Sequence, residues 1–145
     1  MRFLKLILFS VFFSIVLTPQ VSAFKQKHLE QILSTKECLN CELGKANLSG
    51  QDLSGAELSG ANLSGADLSS AVLTSTILDF VSLSISNLRG ANLSKADLSN
   101  STLRSADLSG ANLTGANLTN TTLDGAIFCH TKMPDGKENN SGCKK

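Results

Sequence analysis

The chain has no tryptophan and no tyrosine, and its only histidines are His28 and His130. Indole and phenol side chains are therefore unavailable to any site, and histidine chemistry is restricted to two positions about a hundred residues apart. Charge of one sign is also missing. Thirteen Lys and Arg face twelve Asp and Glu, a formal net charge of +1. No basic stripe marks a nucleic-acid-binding surface. No apolar run reaches the roughly 20 residues that a membrane-spanning helix needs. Most of the eleven glycines recur at one fixed offset in a repeat. They read as turn residues, not as a phosphate-cradling loop.

What is present is a repeat. From Leu43 to Phe128 every fifth residue is a large apolar side chain: Leu at 43, 48, 53 and on to 123, then Phe128. Five residues advance about 500° on an α-helix, so these side chains would spiral around it without forming a face. On a strand, an odd period would send every second one into solvent. The chain must instead turn a corner once per repeat and point each Leu at a common axis, as in a solenoid whose coils stack roughly 4.8 Å apart.

The other positions agree with that geometry. Two residues before each Leu stands a small residue, Ala in eleven of the eighteen repeats. It points inward and must be small because Leu fills the axis. Directly before Leu comes mostly Asn or Asp, read as facing out. After Leu comes Ser or Thr in twelve repeats and then Gly in eight, which are turn residues.

Ala46-Asn47-Leu48-Ser49-Gly50, Ala61-Asn62-Leu63-Ser64-Gly65 and Ala66-Asp67-Leu68-Ser69-Ser70 resemble the pentapeptide-repeat family, with its pattern A-(D/N)-L-x-x. The resemblance covers about 90 of the 145 residues. It implies an all-β fold, a right-handed quadrilateral β-helix with four pentapeptides per coil. The eighteen repeats would then make about four and a half coils, a rod roughly 22 Å long at one strand spacing per coil.

The flanks differ from the repeats. Arg2 and Lys5 precede an apolar run from Leu6 to Leu17, followed by Val21-Ser22-Ala23. This order predicts a signal peptide over 1–23, with an uncleaved anchor as the alternative. Cleavage would remove two basic residues, 13 − 2 = 11 against 12 acids, and leave a net charge of −1. Leu29, Ile32 and Leu33 fall at helical spacing, so 24–40 reads as a short amphipathic helix capping the first coil. The repeats then occupy 41–130. Residues 131–145, with Pro134-Asp135-Gly136 and Asn139-Asn140-Ser141-Gly142, read as an irregular cap. Ends of this kind are similar to those of exported, cyanobacterial-type members of the family. That likeness implies the periplasm or the thylakoid lumen, with the extracellular space as a further exported destination.

Four cysteines accompany the export signal: Cys38, Cys41, Cys129 and Cys143. An even number in an exported protein reads as disulfides. With the coil number implied by the family, the two pairs stand roughly 20 Å apart, whereas bridged Cα atoms lie within about 7 Å. The pairing expected is therefore Cys38–Cys41 and Cys129–Cys143, and a four-cysteine zinc site is excluded. Free thiols and a redox-active C-x-x-C at Cys38 and Cys41 remain as alternatives.

No catalytic, cofactor or metal constellation is evident, and a Leu-filled rod offers no pocket for a small substrate. Asp52, Glu57, Asp67, Asp97 and Asp107 all precede Leu and read as a solvated face. One stretch departs from the pattern. Val72 and Ile77 replace outward Asn or Asp, and Phe80 and Ile85 replace corner Gly, while Thr76, Val81 and Ser86 take the small inward position. Either this coil is locally distorted, or these four apolar groups form a contact for a protein partner or a second copy.

The reading is a non-enzymatic exported scaffold or protein-binding surface with no cofactor. Two alternatives stand beside it. One is a DNA-mimicking protein that acts on gyrase, a role known within the family, although Leu43 to Phe128 holds only seven acids against four bases. The other is a thiol-disulfide protein using Cys38 and Cys41. The export reading predicts a mature N-terminus at Phe24, checked by N-terminal sequencing of native protein. Met1 retained in a soluble cytoplasmic fraction would contradict it.

Overall fold

The computed structural model describes residues 23–144. The signal segment assigned to 1–23 lies outside the described residues, apart from Ala23. One helix, α1 (Ala23–Thr35), leads into a β-helix, and a short antiparallel hairpin, β1 (Thr131–Lys132) with β2 (Glu138–Asn139), closes the far end. Among the described residues no helix is long and apolar enough to cross a membrane.

The β-helix is held by parallel bridges between residues twenty apart, from Glu37↔Glu57 through Asn62↔Ser82 to Asn112↔Lys132. Each bridging residue is the one directly before the axial Leu. Each repeat therefore stacks on the one four repeats earlier, the fifth on the first.

Backbone hydrogen bonding is nearly complete within each repeat. In the repeat around Leu68, Asp67 donates its N–H to Ala46 O of the preceding coil at 2.9 Å. Leu68 and Ser70 donate to Asn87 O and Arg89 O of the following coil, each at 2.8 Å. Ala71 N–H closes the corner onto Leu68 O at 3.1 Å. The fifth donor, the Ser69 N–H, goes to the Asp67 side chain at 3.0 Å. All five N–H groups are satisfied, as buried backbone requires.

The axis is Leu from Leu43 to Leu113, fully buried, with Ala beside it. Where a hydroxyl takes the Ala position it finds a carbonyl inside. Thr76 Oγ1 donates to Leu53 O at 2.9 Å, Ser86 Oγ to Leu83 O at 2.7 Å and Thr131 Oγ1 to Leu108 O at 2.7 Å. Thr76, Val81 and Ser86 are buried, as their register predicts.

The bridged coils extend one repeat beyond the Leu series at each end. Cys38 stands in the axial register of an added first repeat and Cys41 in the small-inward register of the repeat of Leu43, and both are buried. Met133 stands in the axial register of a last one and packs on the core, with Thr131 inward. Helix α1 ends at Thr35, and the next residue, Lys36, is a left-handed terminator with φ of 59°. Ile32 is buried and Leu29 half-buried against the first coil. Leu33 is exposed, so the apolar face of α1 is narrower than its spacing suggests. Gln51, in an inward register near this end, is also exposed, where α1 leaves the first coil uncovered.

The coil containing Val72 to Ile85 is not distorted. Its bridges continue through Val72↔Asn92 and Ile77↔Asp97, and Phe80 and Ile85 keep the corner bonds to Ser99 O and Arg104 O at 3.1 and 2.9 Å. Both corners nevertheless hold φ near 55–59°. For a β-branched residue that conformation is a clear outlier.

A paired denaturation series follows. Leu83→Ala should cost about 2–5 kcal/mol through its cavity. Ile85→Gly should stabilise by up to about 1.5 kcal/mol, because relief of a left-handed penalty of roughly 1–2 kcal/mol is partly offset by glycine's roughly 0.5–1 kcal/mol of added chain entropy. Urea midpoints read both, and a destabilised Ile85→Gly would contradict the exposed corner.

Candidate functional site

The surface of the β-helix is organised in columns set by the twenty-residue stacking. The residues before Leu are not merely solvated. Every Asn or Asp there accepts, through Oδ1, the N–H of the residue two positions on: Asn47 from Ser49 at 3.1 Å, Asp52 from Ser54 at 2.9 Å, Asn112 from Thr114 at 3.1 Å. Several also tie one coil to the next. Asn87 Nδ2 donates to Asp67 Oδ1 at 3.0 Å, and Asn117 Nδ2 to Asp97 Oδ1 at 3.0 Å. The sequence signal for this cap was Asn/Asp-Leu-Ser/Thr, a side-chain mimic of a backbone turn.

These bonds favour the ionised carboxylate. The Ser54 hydroxyl, then the Ser54 N–H and Lys36, hold Asp52 below its ordinary pKa. The Ser99 N–H and hydroxyl do the same for Asp97. Burial pushes Asp107 up, but Ser109 and the Arg89 guanidinium outweigh it. A depressed carboxylate adds stability above its unfolded pKa of about 3.9, and that stability is lost as pH falls through the folded value. Acid titration of stability should therefore steepen below about pH 4. Asp97→Asn, which keeps the cap acceptor and removes the charge, should flatten that limb and lose, near neutrality, the small increment that the ionised carboxylate adds. An unaltered limb would mean that Asp97 does not report on folding.

The irregular coil interrupts this ladder. With Val72, Ile77 and Ser82 before Leu, no side chain caps the N–H of Thr74, Asp79 or Ser84, and Ser82 bonds Ser64 instead at 2.7 Å. Asp79 Oδ1 is buried without a hydrogen-bond partner. The four apolar groups are exposed, most of all Phe80 at 65% and Ile85 at 74%. Each lies between polar or small residues of the adjacent coils: Val72 between Asp52 and Asn92, Ile77 between Glu57 and Asp97. The two corner residues have Gly on the preceding coil, Phe80 next to Gly60 and Ile85 next to Gly65. They follow one another along the fourteen residues from Val72 to Ile85 within a twenty-residue turn, so they form a belt one coil thick and not a flat patch. Ile77, Phe80 and Ile85 are its more exposed part.

Cys38 and Cys41 are joined, with Cα atoms 5.4 Å apart, and Cys129 and Cys143 with Cα atoms 4.7 Å apart. The first pair is buried under α1, where His28 Nδ1 accepts the N–H of Glu42 at 2.9 Å. It leaves no exposed sulfur for exchange with a partner and is not at a helix N-terminus, the setting of reactive thiols. The second pair is half-exposed and lines a cleft with Arg89, Asp107, Ser109, Ile127, Gly142 and Lys144. His28 and His130 lie at opposite ends of the stack and are not brought together. His130 Nδ1 is 2.7 Å from Glu138 Oε1, an acid that the His130 and Asn140 side chains hold below its usual range. Cys129, His130 and Cys143 each place a ligand-type atom within 4.8 Å of the others. This cluster was invisible in the sequence because Cys143 is fourteen residues from its partner.

A bridge every twenty residues, a Leu axis and Asx-capped corners define a pentapeptide-repeat β-helix. The chain belongs to that family: the model for pentapeptide repeats matches eight copies over residues 41–79, 66–104, 82–120 and 96–134.

Among solved structures the chain is similar to HetL, a pentapeptide repeat protein involved in heterocyst differentiation regulation from Nostoc sp. strain PCC 7120. Identity is 38% over 71% of this chain and 51% of that one, with a TM-score of 0.39. The aligned part thus spans about half of HetL. It is similar also to a pentapeptide repeat protein from Cyanothece 51142, with 30% identity over 70% of this chain and 92% of that one and a TM-score of 0.33. A pentapeptide repeat protein from the thylakoid lumen of Arabidopsis thaliana shows 26% identity over 68% of this chain and 69% of that one, with a TM-score of 0.40. No curated protein matches the chain.

Proposed function

We propose that this chain is a non-enzymatic, exported pentapeptide-repeat scaffold that binds a protein partner through the belt at Ile77, Phe80 and Ile85, with Val72 at its edge. The observation that carries this reading is the pair of corners. Phe80 and Ile85 hold left-handed backbone that costs a bulky residue roughly 1–2 kcal/mol, and they expose their side chains while contributing nothing to the axis. The corner itself requires that backbone, as its hydrogen bonds to Ser99 O and Arg104 O show, but a bulky exposed side chain held there at a cost adds nothing to the axis, and its retention points to use by a partner. The axis is packed with Leu, so the surface is what the fold has to offer.

The finer architecture proposed is a right-handed β-helix of square cross-section with between four and five coils. The twenty-residue bridging, four pentapeptides per coil, supports it. Residues 1–23 act as a signal peptide, α1 as the entrance cap and 131–145 as the exit cap. The disulfides Cys38–Cys41 and Cys129–Cys143 secure those caps in an oxidising exported compartment, the periplasm or the thylakoid lumen.

A photoreactive phenylalanine analogue in place of Phe80 tests the binding role in the native compartment. Asn100, one coil further along the same column, serves as control. A discrete protein adduct from position 80 and none from position 100 is expected. Equal adducts from both, or none from position 80, would overturn the belt as a contact surface.

A further inference from the structure

The C-terminal cap carries a cluster that the scaffold reading leaves unused. Cys129 Sγ, Cys143 Sγ and an imidazole nitrogen of His130 lie within 4.8 Å of one another. We propose that this cap is a redox-gated site for a thiophilic d10 cation of the Zn2+ or Cu+ class, closed while Cys129 and Cys143 are bridged and opened when a dithiol reduces them. The inference rests on that pairing and is independent of the belt.

Three observations carry it. The first is the donor set. Two thiolates and one imidazole are soft and borderline ligands suited to Zn2+ and Cu+. Metal–sulfur and metal–nitrogen bonds of about 2.3 and 2.0 Å place such ligands roughly 3.5–3.8 Å apart around a tetrahedral ion. The sulfurs reach that separation by side-chain rotation once the bridge opens, and a water completes the fourth position.

The second observation is that hydrogen bonds and packing hold the cap on the last coil in addition to its disulfide. Gly142 N–H donates to Phe128 O at 2.7 Å, Cys143 N–H to Asn140 O at 3.2 Å, and His130 N–H to Asn140 Oδ1 at 2.7 Å. A Cβ on Gly142 would meet Phe128 N at 2.8 Å, so this segment lies directly on the last coil. Lys132 is bridged to Asn112 below it and paired to Glu138 above. Reduction therefore leaves the two thiols facing each other. Glu138 at His130 Nδ1 is the carboxylate that orients and strengthens a metal-bound imidazole.

The third is selective access. Cys129 and Cys143 are half-exposed in a cleft open to a reductant, while Cys38 and Cys41 are buried.

The chemistry balances with a dithiol as reductant. One thiolate of the dithiol attacks a sulfur of the Cys129–Cys143 bond and forms a mixed disulfide. Its second thiolate closes on the first, releasing a cyclic disulfide and two protein thiols. Those thiols lose two protons as the cation binds.

The test uses the mature chain, oxidised or reduced with dithiothreitol and then freed of it under anaerobic conditions. Mass spectrometry after alkylation should show Cys129 and Cys143 modified and Cys38–Cys41 intact. Titration calorimetry with Zn2+ should give one site in the reduced protein and none in the oxidised. Co2+ substituted at that site should show thiolate charge-transfer absorption in the near ultraviolet. His130→Gln should weaken the site by at least about tenfold, and Glu138→Gln by a smaller factor within about 10–100-fold. Circular dichroism controls for folding, and the reduced C129S/C143S chain reports any contribution of the other pair. Zn2+ bound equally by oxidised protein, by reduced C129S/C143S, or by His130→Gln at unchanged affinity would overturn the proposal. So would no binding to the reduced wild-type chain.

Discussion

Everything in this molecule depends on one constraint: each coil must hydrogen-bond to the next while its Leu side chains meet at the axis. The corner every five residues reconciles the two. It needs left-handed backbone, and φ is positive at every corner from Lys45 to His130, whether or not glycine stands there. The turn closes onto the Leu carbonyl, the Asn or Asp side chain takes the donor that the turn strands, and the remaining donors run along the stack. Neither the Leu column nor the Asx cap is separable from that backbone geometry. A shift of one residue would expose the axis and uncap the corners together.

The axis and the period were legible in the sequence because a residue that fills a solenoid cannot vary in size or spacing. Where size is conserved but identity is not, legibility failed. Cys38 and Met133 occupy the Leu register, and Cys41 and Thr131 the Ala register, so the bridged coils run past both ends of the Leu series. The outward Asn and Asp looked like a solvated face, since hydration and Asx capping favour the same residues. Leu33 fitted a helical stripe, yet α1 meets the coil along a narrower line through Leu29 and Ile32. The cluster at Cys129, His130 and Cys143 depends on a hairpin returning the chain to the last coil, and no local spacing encodes that return.

The irregular coil illustrates how a ladder tolerates substitution. Val72, Ile77 and Ser82 remove three consecutive side-chain caps, and the bridges on either side continue unchanged. The stack is held by backbone bonds in both directions along its axis, so the caps refine a corner that the neighbouring coils already impose. That over-determination allows Phe80 and Ile85 to remain at strained corners. A surface group here answers only to the outside, since its column neighbours are small or polar and its own coil is fixed by others.

Solenoids couple only neighbouring coils, and this gives the two ends separate roles. At the entrance, α1 and the buried Cys38–Cys41 pair are continuous with the core, since Cys38 lies in the same column as Leu58 and Leu78. Disturbing that pair disturbs the axis. At the exit, the Cys129–Cys143 pair sits outside the axial column, beside a half-buried Phe128 and a hairpin. A chemical change there reaches the last coil through Gly142 and Lys132 and is diluted before the belt at Ile77 to Ile85, whose column neighbours lie toward Asp97 and Ser105. The fold can thus carry the proposed cap site and the proposed contact belt on one stack without either altering the other.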